Sequence, residues 1–323
     1  GEGDEGRRVS KRKRNPVASY GEDSPPREEL NEFEPQQVLV EYPMAEQTQG
    51  KTTNTVTVNG KDFGTLRDKE FLNDTVIDFY VKYIQHEVLT EEQSGRCHFF
   101  GTYFWRKLSE AATPQEAHQN VAKWTRRVNL FEKDFIFVPL CEQVHWTLAV
   151  VVNPKGIVHI DNADFKLAAS PDARPFVILY MDSMGGFMKR ALFKLTEYLR
   201  IEYESKKDEH GLEAPVGGFK SPGTIGRRAC VGRNLTVPRQ DNHFDCGIFM
   251  LAYIEKFCDK FVSVPNAEAK RGSESDVVLW TAKLDKGEQW WRPEAKFGVA
   301  YRAKIKQILR NLSKGYPPNK KVR

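Results

Sequence analysis

The sequence predicts an α+β protein in which a central mixed sheet is flanked by helices. Three observations lead to this prediction. Helical spacing of apolar residues dominates the chain from about residue 66 to residue 124. A block of β-branched and aromatic runs follows between residues 135 and 181. Helical patterns then return, first in a long amphipathic stretch beginning at Met188 and later near the C-terminal end.

The individual elements follow in chain order. Short strands are expected at 36–42 and 55–58, the second ending in a hairpin-like Asn59-Gly60 turn. A helical stripe begins near Leu66, and Asn73 or Asp74 either caps or interrupts it. The later elements are helices at 99–111 and before 124, strands at 135–140, 146–152, 157–160 and 176–181, a helix at 188–206, a strand at 231–237, and helices at 247–257 and 301–312.

Composition and charge divide the chain into three parts. Of its 323 residues 40% are hydrophobic, which is ample for a large core, and the net charge is +5. Much of the positive charge lies in two clusters, Arg7–Arg14 and Lys314–Arg323, so the middle is nearly neutral and a nucleic-acid-binding face is disfavoured as the main function. We predict a disordered charged segment at 1–35, a folded domain at 36–313 and a basic tail at 314–323.

Cysteine usage and the absence of apolar stretches bear on the compartment. Five scattered cysteines without CxxC spacing, no signal-like N-terminus and no run of about 18 apolar residues predict a thiol-reduced intracellular protein without membrane contact. The basic run Lys11–Arg14 is typical of a nuclear import signal, so we expect nuclear localisation. Cys97-His98 has no second ligand pair nearby, and neither a metal nor a cofactor is expected. The chain does not begin with methionine, so we expect it to be part of a longer protein.

Cys246 is the strongest candidate for a catalytic nucleophile. It stands where a polar loop, starting at Gln240, gives way to an apolar helical run. A thiolate is favoured at a helix N-terminus because the backbone N–H groups direct positive charge toward it. Gly247 follows and would leave room for a substrate carbonyl.

A thiol near its ordinary pKa is mostly protonated at neutral pH, so the nucleophile requires a base. His145 is the preferred base because it begins a strand that must run through the core, which puts its imidazole at a sheet end. His243 is closer in sequence, but a three-residue loop rarely turns a side chain back onto the next helix start. Two aspartates that end strands, Asp161 and Asp182, could each orient the imidazole, and spacing does not choose between them. Gln240 is a candidate oxyanion donor beside the backbone N–H of Cys246.

Four blocks in this order resemble the catalytic domain of the Ulp/SENP family of SUMO-specific cysteine proteases, over roughly residues 55–312. The blocks are Phe71–Tyr80, Val144–Trp146, Asp182–Gly186 and Gln240–Gly247. The resemblance implies a papain-like cysteine protease fold of the Ulp type. It also implies that Asp182 is the orienting carboxylate, that Gln240 is the oxyanion donor, and that no cofactor is needed.

The family resemblance further implies a substrate. Family members hold the di-glycine tail of SUMO in a narrow slot and cut after the second glycine, because only glycine passes such a constriction. Trp146 matches the slot tryptophan, Phe71 stands where many members have a second tryptophan, and Asp74 matches a position that pairs with a basic residue of the modifier. SUMO, its conjugates and poly-SUMO chains are therefore the expected partners, and the protein is expected to be a monomer.

Phe71 and the insertions at 161–175 and 207–230 favour the chain-editing branch of the family, typified by the second yeast Ulp protease. The nearest alternative is a deneddylating or deubiquitinating protease of the same fold. A non-cleaving binding module and an acetyltransferase with the same order of residues are more distant alternatives. The intact Cys246, His145, Asp182 and Gln240 argue against a degenerate site.

Overall fold

A five-stranded mixed sheet organises the protein. The computed structural model describes residues 32–44, 54–159, 176–212, 232–264, 283 and 290–315. The strand order of the sheet is β3 (Cys97–Phe99), β4 (Phe135–Glu142), β5 (His145–Val152), β6 (Val177–Met181) and β7 (Gly232–Asn234). The two edge pairs, β3 with β4 and β6 with β7, are parallel, whereas the central strand β5 is antiparallel to both of its neighbours, β4 and β6. A separate antiparallel pair, β1 (Val38–Tyr42) with β2 (Val56–Asn59), precedes this sheet in the chain. The predicted α+β class with a mixed sheet is confirmed.

The strands are β1 (Val38–Tyr42), β2 (Val56–Asn59), β3 (Cys97–Phe99), β4 (Phe135–Glu142), β5 (His145–Val152), β6 (Val177–Met181) and β7 (Gly232–Asn234). The helices are α1 (Gly60–Gly64), α2 (Asp74–Tyr83), α3 (Glu91–Gly95), α4 (Thr102–Glu110), α5 (Pro114–Val121), α6 (Lys189–Lys206), α7 (Cys246–Phe257) and α8 (Phe297–Ser313). Single π-helical turns extend α2 through Val88 and α7 through Val262.

Both faces of the sheet are buried, which explains why its strands are apolar without alternation. Leu148 and Val150 of β5 pack in one cluster with residues of α2 and α7. Their neighbours Ala149 and Val151 point the other way, into a second cluster with residues of α4, α5 and α6. The sheet is therefore a rigid layer between two cores, and functional groups can be held firmly at its ends.

A two-residue turn joins β4 to β5 directly before His145. Eight consecutive pairs fix the register of this hairpin, from Phe135 opposite Val152 to Glu142 opposite His145. The two turn residues, Gln143 and Val144, have φ of 50° and 65°. Positive φ at both positions matches the right-handed twist of the flanking strands, although a β-branched residue adopts it at a cost. The turn thus places His145 at the first position of a core strand.

Several element boundaries differ from the sequence-based expectation. Asn59 does not form a hairpin turn, because its side chain caps α1 by accepting from the backbone N–H of Asp62. Residues 157–160 were expected to form a strand, but Pro154–His159 is a 3-10 helix. The helical stripe expected from Leu66 begins only at Asp74, with Asn73 as its N-cap. In each case a local polar side chain or proline overrides the apolar pattern.

Two further differences concern the ends of predicted segments. β3 was missed because its three residues are too short for a periodic signal, and β7 ends at Asn234, earlier than expected. Glu32 and Phe33, placed in the disordered segment by sequence, instead contact the domain: Glu32 pairs with Arg310 and Phe33 packs edge-on against Phe63. The remaining parts of the predicted N-terminal segment, the insertions and the basic tail lie mostly outside the described residues.

Candidate active site

His145 and Asp182 meet at the end of the sheet. Nε2 of His145 lies 2.7 Å from Oδ1 of Asp182, a carboxylate only 5% exposed that directly follows β6. The backbone N–H groups of Met184 and Gly186 also donate to this carboxylate, at 2.8 and 2.9 Å. The turn after β6 therefore fixes Asp182 before any substrate binds.

Charge and hydrogen bonding shift the pKa of both groups in the direction that favours an ion pair. The hydrogen bonds with Asp182 and then with Cys246 raise the pKa of His145 to about 9, against the opposing effect of burial. Burial alone would raise the pKa of Asp182. The hydrogen bonds from His145, Met184 and Gly186 nevertheless hold it below its ordinary value. At neutral pH an imidazolium beside a carboxylate is thus the favoured arrangement.

Cys246 is the first residue of α7 and is 1% exposed. Because Nε2 of His145 is bonded to Asp182, Nδ1 is the ring nitrogen that remains for Cys246, whose side chain contributes to the raised pKa of the imidazole. The N-terminal N–H groups of a helix lack intrahelical acceptors, so α7 also directs positive charge at this sulfur. The structure therefore brings together the thiol, the imidazole and the carboxylate that the sequence nominated.

The sequence offered one alternative for the carboxylate and one for the base. Asp161, the competing carboxylate, lies outside the described residues, whereas Asp182 is in direct contact with the imidazole. His243, the competing base, is exposed. The imidazole whose pKa is raised by Cys246 is that of His145.

Gln240 is held beside the carboxylate by the residue that follows Asp182. The hydroxyl of Ser183 donates to Oε1 of Gln240 at 2.6 Å, and the backbone N–H of Gln240 donates to the carbonyl of Ser183 at 3.1 Å. Nε2 of Gln240 donates to the carbonyl of Asn242 at 2.7 Å. An amide nitrogen carries two hydrogens, so one remains for an oxyanion.

A close approach of three segments lies next to the thiol. The indole N–H of Trp146 donates to the carbonyl of Leu72 at 3.1 Å in a buried hydrogen bond. A Cβ built on Gly247 would lie 3.1 Å from Cβ of Leu72 and 3.2 Å from Cδ1 of Trp146. Glycine at this position therefore allows α7, β5 and the segment before α2 to approach closely beside Cys246.

The other two predicted substrate-binding residues lie on that same segment. Phe71 is 45% exposed despite its large apolar ring, and Asp74 is exposed at the start of α2. Both Asp74 and Cys246 contribute electrostatically to the raised pKa of the Cys141 thiol, although burial is the larger cause. Since Cys141 pairs with Trp146 across the hairpin, Asp74 lies on the side of the site where Trp146 does.

The profile of the family described as "Ulp1 protease family, C-terminal catalytic domain" matches residues 70–271. The chain belongs to this family. All seven residues predicted for catalysis or substrate binding, from Phe71 to Cys246, fall within the matched range.

Individual relatives of this Ulp1-family chain bear related names. It is 34% identical over 274 residues to a probable ubiquitin-like-specific protease 2A of Arabidopsis thaliana, covering 82% of this chain and 31% of the relative. It is 30% identical over 228 residues to ubiquitin-like-specific protease 2 of Schizosaccharomyces pombe, covering 64% of this chain and 34% of the relative. The chain thus spans about a third of the length of these relatives. A crystal structure described as that of the de-sumoylating protease shares the fold, with a TM-score of 0.55 and 21% identity over 88% of this chain and 93% of the other.

Two residues important to the site geometry of this family member were not predicted from sequence. Ser183 fixes Gln240, and its position directly after Asp182 in a polar turn is the signal that could have pointed to it. Leu72 contributes to the site through its backbone carbonyl, which accepts from Trp146, and through its packing on Gly247. A sequence pattern of side chains does not indicate a contribution of this kind.

Three other thiols of the described chain have raised pKa values, which disfavour the thiolate that a nucleophile requires. Burial raises the pKa of Cys97 to about 12, that of Cys141 to about 11, and that of Cys258 well above the ordinary value. Burial likewise lowers the pKa of His98 to about 4. Within the described residues, no group of three or more potential ligands is arranged to hold a metal, and no helix is both long and apolar enough to cross a membrane.

Proposed function

We propose that this chain is a thiol protease that releases SUMO from lysine conjugates by cutting after a C-terminal di-glycine. The observation that carries the proposal is the position of His145 between Asp182 and Cys246, beside the close approach of Gly247 to Trp146 and Leu72. The names of the relatives, ubiquitin-like-specific proteases, support this class of substrate.

The chemistry follows from the contacts. The raised pKa of His145 favours transfer of the thiol proton of Cys246 to its imidazole, which leaves an imidazolium beside Asp182, and the sulfur then attacks the carbonyl carbon of the terminal glycine. The oxyanion that forms is stabilised by the backbone N–H of Cys246 and the remaining amide hydrogen of Gln240. The imidazolium, stabilised by Asp182, donates its proton to the lysine nitrogen as the C–N bond breaks, and water then hydrolyses the thioester with His145 as base.

The close approach of Gly247 to Leu72 and Trp146 supports the di-glycine requirement, and we call the proposed route of the substrate tail past these residues the passage. Phe71, Leu72 and Trp146 offer an apolar wall on one side, and α7 approaches through a residue without a side chain. A substrate residue with a Cβ would need space that these segments fill. We infer that Asp74, which is exposed at the start of α2, pairs with a basic residue on the body of the modifier.

A panel of modifiers tests the proposed substrate. We expect a SUMO vinyl sulfone probe to label the wild-type chain and the Cys141→Ser variant, but not Cys246→Ser. Cys141 is the matched control because its thiol is close enough to sense Cys246 electrostatically. Labelling only by NEDD8 or ubiquitin probes would replace SUMO with that modifier, and labelling that persists in Cys246→Ser would refute the assignment of the nucleophile.

We further propose that the enzyme edits poly-SUMO chains in the nucleus as a monomer, without nucleic-acid partners. Phe71 in place of tryptophan, the insertions at 161–175 and 207–230, and the relationship to ubiquitin-like-specific protease 2 support chain editing. The basic run Lys11–Arg14 supports nuclear import. Digestion of poly-SUMO chains and of a SUMO precursor side by side tests the first point, and faster processing of the precursor would refute it. Light scattering of the purified chain and localisation of a fluorescent fusion test the others.

A further inference from the structure

Arg302 is a buried arginine on α8 that contacts the residue preceding the nucleophile. Its side chain is 3% exposed. Nε and Nη2 both donate to Oδ1 of Asp245, at 3.0 and 2.8 Å, in a buried ion pair. Asp245 immediately precedes Cys246, and its carbonyl accepts from the N–H of Phe249 at 2.9 Å in the first turn of α7. The ion pair therefore fixes the side chain of Asp245, the N-cap residue of α7, directly before Cys246.

The same guanidinium holds a second segment of chain through backbone carbonyls. Nη1 donates to the carbonyls of Thr65 and Arg67, at 3.1 and 2.9 Å. Nη2 donates to the carbonyl of Glu70 at 2.7 Å and, on the nucleophile side, to that of Phe244 at 3.1 Å. An arginine presents five donors in one plane, and here they are divided between two loops.

These two loops lead to the two sides of the close approach beside the thiol, one to Leu72 and the other to Cys246 and Gly247. Residues 65–73 lie in neither a helix nor a strand, and they lead into Phe71 and Leu72. Residues 241–245 are equally irregular and lead into Cys246. Since neither loop is held by a ladder of its own, its position depends on side-chain contacts such as those of Arg302.

Asp245, the carboxylate that Arg302 contacts, is itself held in place by neighbouring groups. Oδ2 of Asp245 accepts from Nδ2 of Asn242 at 2.9 Å, and Oδ1 of Asn242 accepts from the backbone N–H of Asp245 at 3.0 Å. Gly298, in the first turn of α8, lies so close that an added Cβ would collide with the carboxylate of Asp245. The guanidinium thus bridges two loops from a fixed point.

We infer that Arg302 is a positioning residue, which sets the spacing between the Phe71–Leu72 wall and the Cys246 thiol for entry of the substrate tail. This role rests on the proposed function. It predicts that weakening the bridge impairs cleavage of a SUMO-linked substrate far more than the intrinsic reactivity of the sulfur, because a small reagent does not need the passage.

The test compares Arg302→Lys with Arg310→Lys, two identical substitutions on α8. Lysine retains the charge opposite Asp245 but replaces the planar fork by a single nitrogen, which cannot serve both loops. Arg310 donates to Glu32 at 2.7 Å through both Nε and Nη2 on the exposed side, so its variant controls for the loss of an arginine fork from the same helix. For each variant we measure kcat/KM on SUMO–aminomethylcoumarin, normalised to the titrated concentration of active sites. We also measure the rate at which iodoacetamide alkylates Cys246.

For Arg302→Lys we expect kcat/KM to fall at least about tenfold while alkylation changes by less than about threefold, because small misplacements of reacting groups have large effects. Arg310→Lys should stay within about twofold of wild type in both assays. Equal falls in cleavage and alkylation, or a kcat/KM for Arg302→Lys equal to that of Arg310→Lys, would overturn the positioning role. If Arg302→Lys does not fold, Asp245→Asn, which retains the side-chain shape, takes its place: unchanged cleavage overturns the inference, and selective loss of cleavage supports it. A wild-type enzyme that releases no coumarin would instead refute the proposed function.

Discussion

Replacing Asp182 by asparagine tests the electrostatics of the site directly. The carboxylate accepts from Nε2 of His145 at 2.7 Å and also from the N–H groups of Met184 and Gly186. Asparagine retains the size of the side chain but has no charge and only one oxygen. Either its amide nitrogen faces a backbone N–H, or it faces the imidazole, and in both cases one donor meets another.

The magnitude follows from the shift at His145. Its pKa of about 9 lies above an ordinary value of 6.5, which corresponds to about 3 kcal/mol of imidazolium stabilisation. The hydrogen bond with Asp182 is the largest cause of this shift, with that of Cys246 second. If Asp182 supplies most of it, kcat/KM at pH 7 should fall at least about 100-fold, and further if the imidazole adopts the other tautomer.

The assay is kcat/KM for SUMO–aminomethylcoumarin from pH 6 to pH 10. We expect the alkaline limb of the wild-type profile to fall near the pKa of His145, and the limb of Asp182→Asn to lie lower. Glu142→Gln is the control, because Glu142 pairs with His145 across the hairpin and its loss removes the same charge. A variant at Asp182 that keeps more than a tenth of wild-type activity, or a similar loss in Glu142→Gln, would refute the reasoning.

Three further predictions concern the passage and the stability of the site. Gly247→Ala should lower kcat/KM by at least about tenfold with little change in iodoacetamide alkylation, because the new Cβ meets Leu72 and Trp146; equal losses in both assays would contradict a narrowed passage. Trp146→Phe should lower the free energy of unfolding by about 1–3 kcal/mol in urea denaturation, because the buried carbonyl of Leu72 loses its donor; an unchanged midpoint and slope would contradict this. Because the pKa of His145 is raised in the folded state, protonation of His145 stabilises the fold fully below pH 6.5, and this stabilisation is lost as the pH rises through about 9. Between pH 6 and pH 10 the free energy of unfolding of the wild type should therefore fall by about 3 kcal/mol more than that of His145→Gln. Parallel curves of unfolding free energy against pH for the two proteins would contradict this prediction.

The parts of the site that could be predicted from sequence are those where chemistry coincides with an element boundary. Cys246 begins a helix, His145 begins a strand, and Asp182 follows one, so type and place together indicated a role. The choice of Asp182 over Asp161 could not be made from spacing, because it depends on which strand lies beside β5. β6 pairs directly with β5, and that adjacency is a property of the sheet and not of either segment alone.

The parts that could not be predicted act through backbone groups or across large separations. Arg302 lies in an amphipathic helix where a charged residue is ordinarily solvated, yet it is buried with acceptors more than 230 residues earlier in the chain. The strand expected at 157–160 failed for a local reason, since Pro154 opens a 3-10 turn that an apolar pattern does not reveal. Short β3 gave no periodic signal at all.

The two-residue turn between β4 and β5 has a consequence for how this protein can vary. Side chains alternate along a strand, so an insertion or deletion of one residue at Gln143-Val144 that shifts the register of β5 would turn His145 and Trp146 to the opposite faces of the sheet. The imidazole would then point away from Asp182, and the indole away from the carbonyl of Leu72. Surface turns usually tolerate changes of length. In this protein the two-residue length of the turn sets the register that places His145 beside Asp182, so we expect it to vary little.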